Sequence, residues 1–96
     1  MTLLELLQHR KDDIQRIAAK RGAYNVRIFG SVVWGEAGPE SDIDFLIEKG
    51  PTTSSWFPAG LVLDLEELLG RRVEIVTEKA LNPCLRERVL REAVPL

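Results

Sequence analysis

Apolar positions along this chain change their period from segment to segment, and each change marks an element. After Thr2, residues Leu3, Leu4, Leu7, Ile14, Ile17 and Ala18 fall close to the i, i+3, i+4, i+7 spacing of an amphipathic helix. Thr2 with Glu5 fits a capping box and Gly22 a C-cap, so residues 2–21 are expected to form one helix. Val26-Arg27-Ile28-Phe29 is short, β-branched and ends at Gly30, which reads as a strand. Ser31 to Trp34 fits a short helix, stopped by Gly35 and the Gly38-Pro39 turn. From Asp42 to Glu48 the pattern alternates and then turns apolar, as in a central strand whose leading end is exposed.

Lys49 to Pro58 reads as a loop and as the most mobile segment. Leu61, Leu65, Leu68 and Leu69 mark a second long helix closed by Gly70, and Arg72 to Val76 is a third strand. Leu81, Leu85, Val89, Leu90 and Ala93 repeat at helical spacing, with Asn82-Pro83 as cap and first turn. The order α-β-(α)-β-α-β-α implies an α+β fold, a small mixed sheet flanked by helices. At 96 residues the chain is expected to be a single domain, 1–96, with no internal repeat.

Charge adds a second pattern. The net charge is -2, but residues 36–67 carry eight acids (Glu36, Glu40, Asp42, Asp44, Glu48, Asp64, Glu66 and Glu67) against Lys49 alone. An acidic middle argues against direct nucleic-acid binding, which needs clustered positive charge, and is compatible with a divalent cation. Most single charges here are explained equally well as a solvated face. The lone Cys84 excludes an internal disulfide, and no apolar run reaches a membrane span, so a cytoplasmic location is expected.

Three features carry chemistry when read together. In a strand Asp42 and Asp44 point the same way, with Cα atoms about 7 Å apart. Without a cation such acids repel each other, and they occupy β-unfavourable positions in an apolar element. Alone, the pair is also an ordinary strand start after a turn. Gly30-Ser31 follows a strand directly, where a glycine admits a close phosphate and a short helix offers free N–H groups; alone, it is equally a strand-ending Gly and a Ser N-cap. Glu74 lies between Val73 and Ile75 on the opposite face of its strand. It completes an acidic cluster if that strand neighbours Asp42 and Asp44, and is otherwise an edge-exposed acid.

The combination Gly30-Ser31, ten residues, Asp42-Ile43-Asp44, then a later acid resembles the nucleotidyltransferase signature. The longer run, Phe29-Gly-Ser-x-x-x-Gly-Glu-Ala to Ser41-Asp-Ile-Asp-Phe-Leu-Ile-Glu48, looks like the minimal nucleotidyltransferases (MNT proteins) of the DNA polymerase beta-like superfamily. These are antitoxins paired with HEPN toxins in prokaryotes. The resemblance implies the nucleotidyltransferase fold and transfer of AMP from ATP·Mg²⁺ to a tyrosine of a HEPN ribonuclease toxin encoded by the neighbouring gene. It implies that Gly30 and Ser31 hold the triphosphate and that Asp42 and Asp44 bind Mg²⁺. Glu74 would be a third metal ligand or the base that activates the attacking hydroxyl.

Two positions depart from the family pattern. Many relatives carry Arg where this chain has Trp34, which neither pairs with phosphate nor with an acid. Trp34 would stack on adenine, cover the core or meet a partner. The third acid is often Asp, and Glu74 is one methylene longer. An antitoxin that neutralises its toxin by binding alone is therefore the alternative reading. A small-molecule nucleotidyltransferase of the aminoglycoside-modifying kind is disfavoured, because 96 residues leave no acceptor-binding region. His9 and Cys84 fit no catalytic pattern, and Trp56-Phe57 is either a partner anchor or core packing.

Overall fold

A computed structural model describes residues 2–36, 38, 41–51, 53 and 57–96. Two helices, α1 (Leu3–His9) and α2 (Lys11–Lys20), lead into strand β1 (Ala23–Phe29) and the one-turn helix α3 (Ser31–Trp34). Strand β2 (Ile43–Lys49), helix α4 (Ala59–Leu69) and strand β3 (Val73–Thr77) follow. A 3-10 turn at Glu78–Ala80, helix α5 (Pro83–Glu92) and a short strand β4 (Val94–Pro95) complete the described chain. The sheet order is β3-β2-β1-β4, with β2 parallel to β3 and the other pairs antiparallel. The α+β class and the small mixed sheet agree with the sequence reading.

The single helix expected over residues 2–21 is instead two. The amide of Arg10 bonds both Leu6 O and Leu7 O, and Arg10 leaves helical geometry with φ -100 and ψ 10. The cause lies in the pattern: after Leu7 the next apolar residue is Ile14. Nothing at positions 10 and 11 pins that turn to the core, so the chain bends and buries Leu7 and Ile14 separately. Thr2 caps α1 as expected, its Oγ1 accepting from Glu5 N–H at 3.1 Å.

β1 also begins earlier than its apolar run suggests. Asn25 sits at φ 51 in a bulge between Tyr24 and Arg27, which adds one residue against β2. The bulge breaks the two-residue alternation, so Ala23 and Val26 both reach the core although three positions apart. Asn82 caps α5 through Oδ1 to Cys84 N–H at 2.9 Å, and Gly70 closes α4 at φ 66.

Strand β4 was not expected, because the helical spacing of α5 runs on to Ala93. Two residues show no periodicity, and Pro95 has no N–H to give. An edge position tolerates it. The tail is tied down beside it: Leu96 N–H donates to Val26 O at 3.1 Å and Gln15 Nε2 to Leu96 O at 2.7 Å.

Alternation divides the sheet into two unlike faces. Ile43, Phe45 and Ile47 of β2 join Val26, Ile28 and Val73 against Leu7, Ile14, Ala18, Leu61 and Leu65 in one buried cluster. The other face carries Asp44, Leu46 and Glu48 of β2, opposite Phe29 and Arg27 of β1. Among the described residues no helix is long and apolar enough to cross a membrane. Positions 52 and 54–56 of the loop expected at 49–58, Trp56 included, lie outside the described residues; Phe57 packs on the core.

Candidate active site

The site forms at the leading end of β2, on the face away from the main core. Asp44 is the register partner of Glu74 on β3 and of Phe29 on β1. Parallel neighbours stand about 4.8 Å apart, and cross-strand partners share a face, so the Asp44 and Glu74 carboxylates adjoin. Asp42 lies just ahead of β2 rather than inside it. Its Oδ1 is shielded from solvent and makes no hydrogen bond, although Arg72 Nε approaches to 3.1 Å. That contact is an ion pair without hydrogen-bond alignment.

Gly30 meets the acids from β1. Its φ is 78, a left-handed conformation, and a Cβ there would collide with Asp44 Oδ2. Glycine is thus required twice over, by backbone and by close approach. The amides of Val33 and Trp34 bond back to Gly30 O at 3.1 and 3.4 Å. Those of Ser31 and Val32 precede the first turn's own bonding. Gly30 is therefore brought against Asp44, with Ser31 next to it at the start of α3.

Electrostatics mark Asp44 as the unusual acid. Burial pushes its pKa up to about 6, helped by hydrogen bonding to Glu74 and by the charges of Glu74 and Asp42. Among the described residues, a carboxylate so placed has no ion-pair partner. A divalent cation fits this deficit and the shielded, unbonded Asp42 Oδ1. The ligands are not set as a finished cage: among the described residues no group of three His, Cys, Asp or Glu is arranged to hold a metal. Asp44 and Glu74 face each other, while Asp42 is engaged by Arg72.

Several residues at the site escaped the sequence reading. Arg71 Nη2 donates to Gly38 O at 2.7 Å and Ser41 O at 3.0 Å, clamping the turn that delivers Asp42. Two arginines ahead of a strand were the available signal, but their targets depend on the β2–β3 pairing. Trp34 is 48% exposed, so it does not cover the core, and the Arg88 guanidinium lies 5.3 Å from its ring centroid. His9 and Cys84 are exposed and distant in role. A separate cleft of about 630 Å³ opens at the other end of β2, lined by Tyr24, Glu48, Lys49, Glu78 and Arg86. The ion pairs of Glu78 there are already satisfied by Arg27 and Arg86, so it lacks the charge imbalance of the acidic end.

Gly30 is thus packed against Asp44, the register partner of Glu74, at one end of a mixed sheet. Residues 11–96 match the family described as nucleotidyltransferase domain, and the chain belongs to the nucleotidyltransferase family. Its similarity is to the minimal members. A provisionally named protein adenylyltransferase of Methanocaldococcus jannaschii is 39% identical over 88% of this chain and 90% of the relative. Protein adenylyltransferase MntA of Thermococcus cleftensis is 36% identical over 93% and 86% of the two chains.

A solved structure provisionally described as a minimal nucleotidyltransferase superposes with a TM-score of 0.86 at 48% identity, over 100% of this chain and 97% of that one. A toxin–antitoxin crystal structure with AMP-PNP shares the fold, with a TM-score of 0.73 at 20% identity, over 88% and 70% of the chains.

Proposed function

We propose that this chain is a single-domain antitoxin that transfers AMP from ATP to a tyrosine of a HEPN-family toxin in the prokaryotic cytoplasm. The observation that carries the reading is the pairing of Asp44 with Glu74 across β2 and β3, with Asp42 just ahead of them and Gly30 packed against Asp44. The similarity to proteins named as protein adenylyltransferases supports a protein acceptor.

Asp42 and Asp44, with Glu74 as a third ligand where it is not the base, would hold Mg²⁺, which supplies charge neutralisation for the phosphates when bound. The backbone N–H groups at Ser31 and the hydroxyl of Ser31 would orient the triphosphate. The acceptor oxygen attacks the α-phosphorus, the bond to the bridging oxygen breaks, and pyrophosphate leaves with the electron pair. Glu74, exposed at the rim, would take the hydroxyl proton.

The test is incubation of the chain with α-labelled ATP, Mg²⁺ and the product of the neighbouring gene. Label on a tyrosine of the partner is the expected result. The exposed Trp34 favours a second reading, neutralisation by binding alone. An unlabelled partner that is nevertheless neutralised selects that reading and rejects transfer.

A further inference from the structure

A second inference, resting on the nucleotidyl-transfer reading, concerns Arg72. The β2–β3 register continues one step past the end of β3, since Ile43 N–H donates to Arg72 O at 3.0 Å. Asp42 and Arg72 are therefore the next facing pair after Ile43 and Val73, on the side that bears Asp44 and Glu74. Among the described residues, Arg72 is the cation ion-paired to an acid of the site, its Nε 3.1 Å from Asp42 Oδ1.

The pair is built unlike a structural one. The Arg72 side chain is 77% exposed, so solvent screens the attraction and the long side chain loses freedom to make it. Its backbone is nonetheless fixed, because the neighbouring Arg71 ties the start of β3 to Gly38 O and Ser41 O. The result is a largely exposed guanidinium with an anchored root, at the rim of the acids. A metal ion that takes Asp42 Oδ1 must displace it. The displaced fork then stands beside the phosphates that the same metal neutralises, and guanidinium geometry suits phosphate oxygens.

We propose that Arg72 is an exchangeable counter-ion: it competes with the divalent metal for Asp42 and, once displaced, pairs with the nucleotide's phosphates. The two roles give opposite signs in one variant. Arg72→Gln is expected to bind Mn²⁺ alone about two- to fivefold more tightly, since an exposed competing ion pair is lost. It is expected to bind Mn²⁺ with α,β-methylene ATP about tenfold more weakly, for want of a charge-assisted contact. Arg72→Lys restores the competition but only part of the nucleotide affinity, because an ammonium cannot fork.

Mn²⁺ is titrated by electron paramagnetic resonance and the nucleotide by calorimetry, so neither readout requires turnover. A merely structural role lowers both affinities together, and that result overturns the proposal, as does an unchanged value of either. Wild-type protein that binds neither probe overturns the nucleotidyl-transfer reading itself. Wild-type binding with an unaltered Arg72→Gln overturns the role of Arg72 alone.

Discussion

The same sheet face carries two clusters of acids and arginines with opposite balance. At one end Glu78 is held by two arginines: Arg27 Nη2 at 3.1 Å on Oε2 and Arg86 Nη2 at 3.0 Å on Oε1. Arg86 also donates to Glu78 O at 2.9 Å, and Arg27 Nε to Asn25 O at 3.1 Å. At the other end Asp44 and Glu74 adjoin, and among the described residues the arginine at these acids is Arg72, paired with Asp42. The first cluster gives each Glu78 carboxylate oxygen a guanidinium donor and joins the 3-10 turn and α5 to β1. The second leaves like charges adjacent, which costs stability; the proposed metal–nucleotide complex would relieve it. Cations match the anion at the first end, and like charges are left adjacent at the second.

Removing anions from the unbalanced end is the strongest way to test the contrast. Asp44→Asn and Asp42→Asn are expected to lower AMP transfer by about two orders of magnitude or more, since metal-assisted charge stabilisation contributes several kcal/mol. Circular dichroism should show the fold retained in both. Loss of fold along with activity would remove the distinction between the two clusters.

The balanced end should respond in the reverse manner. Glu78→Ala leaves Arg27, with an 11% exposed side chain, without its partner. An expected loss of about 2 kcal/mol corresponds to a melting temperature lower by roughly 10 °C in a domain of this size. Transfer measured well below that melting point should change little. A third variant probes the join of turn and acid: Gly30→Ala forces a Cβ onto Asp44 Oδ2 at φ 78. The expected cost is about 1–2 kcal/mol of stability, with nucleotide affinity reduced as the carboxylate shifts.

The smallest effect is a pH dependence confined to the unbalanced end. Asp44 is raised from 3.8 to about 6 in the folded chain. Between those values the folded state holds a proton that the unfolded state has lost, so stability falls as pH rises from about 4 through about 6. Above that window the cost is fully present; below it, absent. Discounted for solvent screening, the contribution is about 1 kcal/mol. Denaturant titrations across the window should show the fall in the wild type and its absence in Asp44→Asn, which is expected to be the more stable at pH 7. An equal slope in both would assign the dependence elsewhere.

Much of this was written in local pattern. The α4 and α5 stripes, the Asn82 cap, the Gly70 stop and the β2 core run need only near neighbours, and a periodicity survives being read one residue at a time. So did the spacing of Gly30-Ser31 and Asp42-Ile43-Asp44, because strand alternation fixes which acids share a side. The break at Arg10 and the Asn25 bulge were hidden, since each trades local regularity for burial against residues far along the chain. Strand β4 was hidden for the same reason: its two residues are extended because β1 offers an edge, not because Val94-Pro95 prefers it.

The sequence by itself determined the class of chemistry, because residue types at fixed separation along one strand carry their own geometry. Tertiary structure alone decided which acid becomes unusual. Glu74 meets Asp44 only through the parallel pairing of β2 and β3, and Gly30 reaches Asp44 only through the antiparallel pairing of β1 and β2. The same pairing sets Arg72 on Asp42 and Arg71 on the turn before it. Burial and mutual charge, which push Asp44 up to about 6, are properties of that juxtaposition and of no single segment.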